Sequence, residues 1–188
     1  MVAACAALAN ACGSQGTPGP APNNATTHYD PETRRLERVT YDRNNDGRVD
    51  ATTFMDGAKV TRAELDENFD GVIDRREYFV SRPADAGSAA SMQLDRVEAS
   101  TRADGRTTRW ERYEDGQLRH VEEDTDEDGR VDKWETWTAG SLSMVAMDTR
   151  GSGHPDRRLV YPAGGGEPQL EMDPDPAAAG GRSDPAHP

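Results

Sequence analysis

Short apolar and aromatic runs alternate with polar, glycine-containing segments along most of the chain, and the alternation recurs every 24 residues. Five glycines mark the spacing, two before an insertion and three after it: Gly47, Gly71, Gly105, Gly129 and Gly153. The step across the insertion is 34 residues, one period plus ten, and the extra ten fall in the polar segment 81–92. A fixed period of this length is typical of repeat proteins in which each unit contacts mainly its neighbours.

Each repeat unit contains two runs that are rich in Thr, Val, Trp, Tyr and Phe and are separated by a two-residue turn. The turns include Asp56-Gly57, Asp115-Gly116 and Ala139-Gly140. Asp-Gly between two such runs is a strong signal for a β-hairpin, and the composition of the runs favours strands. The pattern therefore predicts that each repeat unit forms one β-hairpin preceded by a loop.

A helical interpretation competes with this one, because some apolar residues lie three apart, as Val131, Trp134 and Trp137 do. The runs are about a half-dozen residues long, which is short for a stable helix but ordinary for a strand. We therefore predict a mainly β fold. It consists of serial antiparallel hairpins that form a twisted meander or roll, with the loops at one edge. The alternative is a small α fold with helices between the loops.

The loops between hairpins are acidic, and two of them share a twelve-residue pattern. Residues 66–77 and 124–135 place carboxylate and amide side chains at alternate positions, followed by a glycine. A hard cation needs this arrangement from a short loop. Both segments resemble the calcium loop of EF-hands and, more loosely, the loops of thrombospondin type 3 and dockerin modules. The resemblance covers loops only, because about 12 residues separate consecutive loops and two EF-hand helices do not fit there.

The resemblance implies calcium as the cofactor, with one backbone carbonyl (Val72 or Arg130) in each ligand set. The implied ligands are Asp66, Asn68, Asp70, Val72, Asp74 and Glu77 in one loop, and Asp124, Asp126, Asp128, Arg130, Asp132 and Glu135 in the other. A weaker set has Thr53 in place of the final Glu and comprises Asp42, Asn44, Asp46, Arg48 and Asp50. The alternative to calcium binding is that these loops are solvated turns that need no ion.

Two further loops have lost the calcium pattern. Arg102 and Arg150 occupy the third ligand position of their loops. We expect these loops to be free of metal, with each guanidinium pairing with nearby acids such as Asp104 or Asp148 in place of the ion.

Composition narrows the classes of function. The net charge of −13 argues against a nucleic-acid partner, because phosphates would be repelled. A hydrophobic content of 34% disfavours a thick core. Four scattered histidines do not suggest zinc, and no nucleophile or phosphate-loop motif occurs, so we expect a protein that is not an enzyme. The aromatic residues Trp110, Tyr113, Trp134 and Trp137 are expected to form a stacked core.

The ends of the chain differ from the repeats in composition. The small apolar run 1–11 ends in Ala-Asn-Ala before Cys12 and resembles a bacterial lipoprotein signal, which implies an export leader and lipidation at Cys12. Residues 12–30 are expected to be a flexible tether, 31–163 the repeat domain with its insertion at 81–92, and 164–188 a disordered tail.

Together these features predict a non-enzymatic, calcium-binding repeat lipoprotein of the bacterial envelope that acts as a structural or adhesive module. The location would be the outer membrane, facing the periplasm or the surface, or the protein would be secreted. The expected partners are a membrane, through a lipid anchor at most, and a protein or glycan that the sequence does not identify; the chain is expected to be a monomer. A protein-binding module of dockerin or EF-hand type is the alternative, and a hydrolase accessory or fragment is a weaker one.

Overall fold

The computed structural model describes residues 24–82 and 91–173, which form one twelve-stranded antiparallel sheet with its strands in chain order. The strands are β1 Ala25–Tyr29, β2 Leu36–Tyr41, β3 Ala51–Asp56, β4 Lys59–Leu65, β5 Arg75–Arg82, β6 Ser91–Ala99, β7 Arg109–Glu114, β8 Gln117–Glu123, β9 Lys133–Thr138, β10 Ser141–Met147, β11 Arg157–Val160 and β12 Gln169–Met172. The prediction of serial β-hairpins is confirmed. The helical alternative is wrong for this part of the chain, which contains no helix.

The two edges of the sheet carry different connections. At one edge, two-residue turns join β3 to β4, β7 to β8 and β9 to β10, and both residues of Asp115-Gly116 and of Ala139-Gly140 have positive φ. This is the type I′ geometry that matches the twist of paired strands. At the other edge lie five nine-residue loops, called loops 1 to 5 from here on. They span residues 42–50, 66–74, 100–108, 124–132 and 148–156.

Every hairpin from β1 to β10 contains the same irregularity in register. One residue of its second strand is skipped by the pairing with the first strand: Glu37, Thr61, Asp95, Arg119 and Ser143. Such bulges bend a strand and increase its right-handed twist. Because they recur at equivalent positions, the twist repeats with every unit, as a twisted meander requires.

The sheet is a single layer, because the strands make extensive contacts only with their neighbours in sequence. Burial comes instead from rows of directly paired side chains. The central row runs across β3 to β10 as Thr53, Ala63, Glu77, Val97, Glu111, Val121, Glu135 and Val145. Val97 and Val121 are 0% and 1% exposed. Long charged neighbours on either side of a small residue cover it in the absence of a second layer.

The glutamates of this row each pair with a cation two residues earlier on the same strand. Arg75 Nε lies 2.8 Å from Glu77 Oε1, and Lys133 Nζ lies 2.8 Å from Glu135 Oε1. Arg109 pairs with Glu111 in the same way at 2.8 Å. Alternate residues of a strand point to the same face, so the ion pairs and the valines share one face, called the valine–glutamate face below.

The four aromatic residues that were expected to stack are divided between the two faces. Tyr113 and Trp137 lie on the valine–glutamate face, where they donate hydrogen bonds of 2.8 Å and 3.1 Å to the glutamate two residues before each. Trp110 and Trp134 lie on the opposite face and are separated by Glu122 of β8. The prediction of one stacked core is wrong, because residues an odd number apart on a strand point to opposite faces.

The sheet extends beyond the predicted bounds of 31–163. Strand β1 begins at Ala25, inside the segment assigned to the tether, and β12 ends at Met172, inside the segment assigned to the tail. Strands also reach Arg82 and resume at Ser91, so the ends of the insertion 81–92 are paired. The leader 1–11, Cys12, the middle of the insertion and most of the predicted tail lie outside the described residues.

Candidate metal centre

All five loops close through the same contact, in which the ninth residue accepts a hydrogen bond from the backbone N–H of the second. The acceptors are Asp50, Asp74, Thr108, Asp132 and Asp156, at 2.7 Å, 3.0 Å, 3.2 Å, 3.1 Å and 3.3 Å. Four of them are buried, Asp132 being the exception. This contact fixes where each loop leaves and re-enters the sheet.

The first residue of the loop organises the opposite side. In loops 1, 2 and 4, Asp42, Asp66 and Asp124 accept the N–H of the loop glycine through Oδ2 at 2.8 Å, 2.7 Å and 3.0 Å. In loop 5, Asp148 accepts the N–H of Gly153 in the same way. Local side-chain acceptors of this kind stabilise turns without any ion, so the loops have their own internal support.

Consecutive loops are joined through the backbone. The first residue of each loop donates its N–H to the carbonyl of the ninth residue of the loop before it. The donors are Asp66, Ser100, Asp124 and Asp148, at 2.8 Å, 2.7 Å, 2.8 Å and 2.8 Å. The acidic loops therefore form a continuous edge, and a charge in one loop lies close to its neighbours.

Loop 4 differs from the others in its carboxylates. Oxygen atoms of Asp124, Asp126 and Asp128 lie within 4.8 Å of one another. Asp124 is only 3% exposed, and its Oδ1 has no hydrogen-bond partner. In loops 1 and 2 the equivalent Oδ1 of Asp42 and of Asp66 accepts a backbone N–H. A buried carboxylate oxygen without a donor is costly, and a cation between the three carboxylates would satisfy it.

Two guanidinium groups of loop 3 approach loop 4. Arg106 lies 3.7 Å from Asp124 Oδ2, and Arg102 pairs with Glu127 at 2.8 Å. The expected pairing of Arg102 with Asp104 is therefore corrected, because Asp104 Oδ1 instead accepts hydrogen bonds from Ser100 and from the N–H of Arg106. These cations offset part of the repulsion among the carboxylates of loop 4.

The guanidinium of Arg150 in loop 5 pairs with Asp156 at 3.1 Å, not with the expected Asp148. Burial raises the pKa of Asp148, but N–H donors of Ser152, Gly153 and Arg150 outweigh it and lower the pKa below its usual range. Loop 5 thus keeps Asp148 charged with backbone dipoles.

The remaining ligands implied by the EF-hand pattern have other contacts. Glu77 lies in β5 and pairs with Arg75, while Glu135 lies in β9 and contacts Lys133 and Trp137. Both oxygens of Asp132 accept hydrogen bonds from Thr125. To ligate an ion, these three side chains would have to give up those partners, so they stay predictions.

Loops 1 and 2 use amides where loop 4 has Asp126. The side-chain amides of Asn44 and Asn68 donate to the carboxylates of Asp46 and Asp70 at 3.0 Å and 2.9 Å. The amide oxygens accept the backbone N–H groups of the same two aspartates. These neutral amide donors stabilise the carboxylates of Asp46 and Asp70 by hydrogen bonding, without an ion. The predicted sites at Asp42, Asp46, Arg48 and Asp50, and at Asp66, Asp70, Val72 and Asp74, therefore have weaker geometric support than loop 4. Asp74 Oδ1, buried and without a partner, is the exception within loop 2.

Sequence reasoning missed the ninth-residue acceptors as structural elements and the ion pair between Arg102 and Glu127. The first was readable, since an Asp or Thr stands at that position in all five loops. The second depends on the contact between adjacent loops, which no pattern within one loop contains.

No protein-family model matches the chain, and no curated protein resembles it. In the described residues there is no helix with the length and apolarity to cross a membrane.

Proposed function

We propose that the chain is a non-enzymatic, calcium-stabilised repeat protein of the bacterial envelope, with a structural or adhesive role. The observation that carries the proposal is the cluster of Asp124, Asp126 and Asp128 in loop 4, with the buried and unpartnered Oδ1 of Asp124. Oxygen ligands from carboxylates are what calcium prefers, and Mg²⁺ retains its waters more strongly.

The ion would act as a clamp between neighbouring units. Asp124 donates its backbone N–H to Thr108 of loop 3 and holds Gly129 of its own loop. A cation bound to Asp124 therefore stabilises both the turn and the link to the preceding loop. With three side-chain carboxylates and waters completing the shell, we expect weak binding, on the order of 10⁻⁴–10⁻³ M, a range found in extracellular modules.

Calorimetric titration of calcium into the protein tests the site. Asp126→Asn removes one exposed carboxylate from the cluster and is expected to weaken binding by about tenfold or more. Asp115→Asn is the matched control, since it makes the same change of charge at the hairpin edge. Equal affinities for the two variants, or no heat above dilution in the parent protein, would rule the proposed site out.

The location in the envelope rests on the sequence of the leader and on Cys12, which lie outside the described residues. Expression with labelled fatty acid in a bacterial host is the direct test. We expect label on the parent chain and none on Cys12→Ala, with the variant moving to the soluble fraction. Label retained in that variant would refute lipidation at Cys12.

A further inference from the structure

The outermost strands of the sheet keep the register of the repeat. The carbonyl of Asn24 accepts the N–H of Asp42 at 3.1 Å, just as Asp50 accepts Asp66 between loops 1 and 2. Asn24 thus holds the place of a ninth loop residue. At the other end, Asp173 donates its N–H to Asp156 at 3.0 Å and holds the place of a first loop residue. The two ends are complementary halves of one inter-strand junction.

The same two strands, β1 and β12, carry the most exposed large apolar side chains of the described residues. Leu170, Met172 and Tyr29 are 60%, 66% and 57% exposed, more than any other large hydrophobic residue in the described ranges. Within those ranges β1 pairs only with β2, and β12 only with β11. Repeat proteins usually cover their terminal units with polar caps, and exposed apolar edge strands favour pairing with another chain.

We propose that β12 of one copy pairs with β1 of a second copy, continuing the sheet from molecule to molecule. In the repeat register, Met172 would face Ala25 of the next copy and Leu170 would face its Thr27. These pairs reproduce Tyr41 with Ala51 and Val39 with Thr53 at the β2–β3 junction. The occupant is another copy of this chain, because only a strand in this register continues both the backbone ladder and the side-chain rows.

Within residues 24–82 and 91–173, no strand occupies the backbone groups needed for this pairing. In an antiparallel pair, alternate residues bond to the same neighbour. Asp173 bonds toward β11, so Leu170 and Met172 direct their N–H and C=O groups outward. Asn24 bonds toward β2, so Ala25 and Thr27 do the same. Glu171 would face Thr26, and Gln169 would face His28, so no like charges oppose each other across the new pair.

Such a contact joins different surfaces of two identical chains, so each pairing leaves one open edge and the assembly grows as a filament. The strands offer only a few residue pairs, well below the area of a stable interface of roughly 1,200 Å². Association is therefore weak in dilute solution and is favoured where copies are concentrated. It does not depend on calcium, so it can fail or hold independently of the metal proposal. It differs from the sequence-based expectation of a monomer, and the concentration dependence of the mass decides between the two.

Sedimentation velocity of the full chain, at concentrations up to about 1 mM, tests the proposal with two blocked variants. Leu170→Pro removes an outward N–H from β12, and Thr27→Pro removes one from β1; neither N–H points toward a strand of the described residues. We expect the parent to show a weight-average mass that rises with concentration and each variant alone to stay monomeric. An equimolar mixture should form a 1:1 dimer through the two edges that remain intact.

Ala163→Pro, in the exposed connection between β11 and β12, is the control for a general effect of proline, since it falls at the second residue of the turn that Gly165 N–H closes on Pro162. Circular dichroism checks that every variant keeps its β spectrum. The proposal is overturned if the folded parent stays monomeric over the whole range. It is also overturned if either blocked variant still self-associates, which would indicate symmetric pairing, or if the mixture of two folded variants forms no dimer.

Discussion

Glu135 illustrates, at the scale of single residues, how a carboxylate stays charged in a sheet of only one layer. Burial raises its pKa, but hydrogen bonds from Lys133 and Trp137 outweigh this effect and hold the pKa below the ordinary value of 4.5. The three side chains form one unit on the valine–glutamate face, and Arg75 with Glu77 repeats the arrangement. Charge pairing thus replaces part of an apolar core.

The lowered pKa of Glu135 predicts a loss of stability in acid. A carboxyl whose pKa is lower in the folded state than in the unfolded state stabilises the fold at pH values above the unfolded-state pKa. This contribution disappears as the pH falls through the folded-state pKa. We expect the urea concentration at the unfolding midpoint to decrease as the pH is lowered below about 4.5. This decrease should be less steep in Glu135→Gln than in the parent protein. Parallel profiles for the two proteins would contradict this role of Glu135.

Gly105 is a second residue with a specific requirement. Its φ of +80° favours glycine, and a Cβ there would overlap Val72 Cγ1 of the preceding loop. Gly116, with φ +73°, has open space around it. Gly105→Ala should therefore cost more than the 1–2 kcal/mol or so of left-handed strain that Gly116→Ala introduces.

Chemical denaturation of the two alanine variants measures this difference. We expect Gly105→Ala to unfold at the lower denaturant concentration, and Val72→Ala to remove its additional cost in the double variant. If Gly105→Ala and Gly116→Ala are equally stable, the two loops do not pack as described.

At the scale of the element, each nine-residue loop depends on its last side chain. Asp50 is 1% exposed and accepts N–H groups of Arg43 and Asn44 at 2.7 Å and 3.2 Å. Loop 3 fulfils the same role with Thr108. The requirement is for a short side chain with an acceptor, and a negative charge is not essential.

Asp50→Ala leaves backbone donors without a partner and should destabilise the protein by about 1–3 kcal/mol. Asp50→Thr, which places in loop 1 the side chain that Thr108 supplies in loop 3, should recover part of that loss. Equilibrium unfolding in urea gives both values. A threonine variant no more stable than the alanine variant would mean that the hydrogen bond does not support the loop.

The hairpins and the position of the loops followed from the sequence because both depend on local signals. Asp115-Gly116 specifies a tight turn, and the acidic segments specify loops every 24 residues. The sequence did not predict which side chains share a face of the sheet, because the strand segments carry apolar residues on both faces. The partners of Arg102, Glu77 and Glu135 did not follow either, because they depend on contacts between strands and between loops that no single repeat contains.

At the scale of the whole molecule, stability is distributed along one dimension. Each strand contacts chiefly the strands beside it, and no second layer covers the sheet in the described ranges. The most buried apolar side chains, Val97 and Val121, lie in the middle of the strand order. The terminal strands β1 and β12 each have one neighbour among the described strands, so fluctuations should begin there.

Amide hydrogen exchange should follow this gradient. We expect the slowest exchange in β6 to β8, around Val97 and Val121, and the fastest in β1 and β12. At high concentration the edges should gain protection if copies pair head to tail. Uniform protection from β1 to β12 in dilute solution would contradict a neighbour-only architecture.

Thermal unfolding in calcium and in chelator, followed by circular dichroism, shows whether calcium stabilises the fold. At a calcium concentration ten times Kd, binding to the folded state alone adds about 1.4 kcal/mol. We expect a Tm higher by roughly 3–6 °C in calcium than in EDTA, with an unchanged β spectrum. A tenfold weaker site in Asp126→Asn would be half-filled at the same calcium concentration, so its shift should be about 1–2 °C or less. An identical Tm of the parent protein in saturating calcium and in EDTA would contradict stabilisation by calcium.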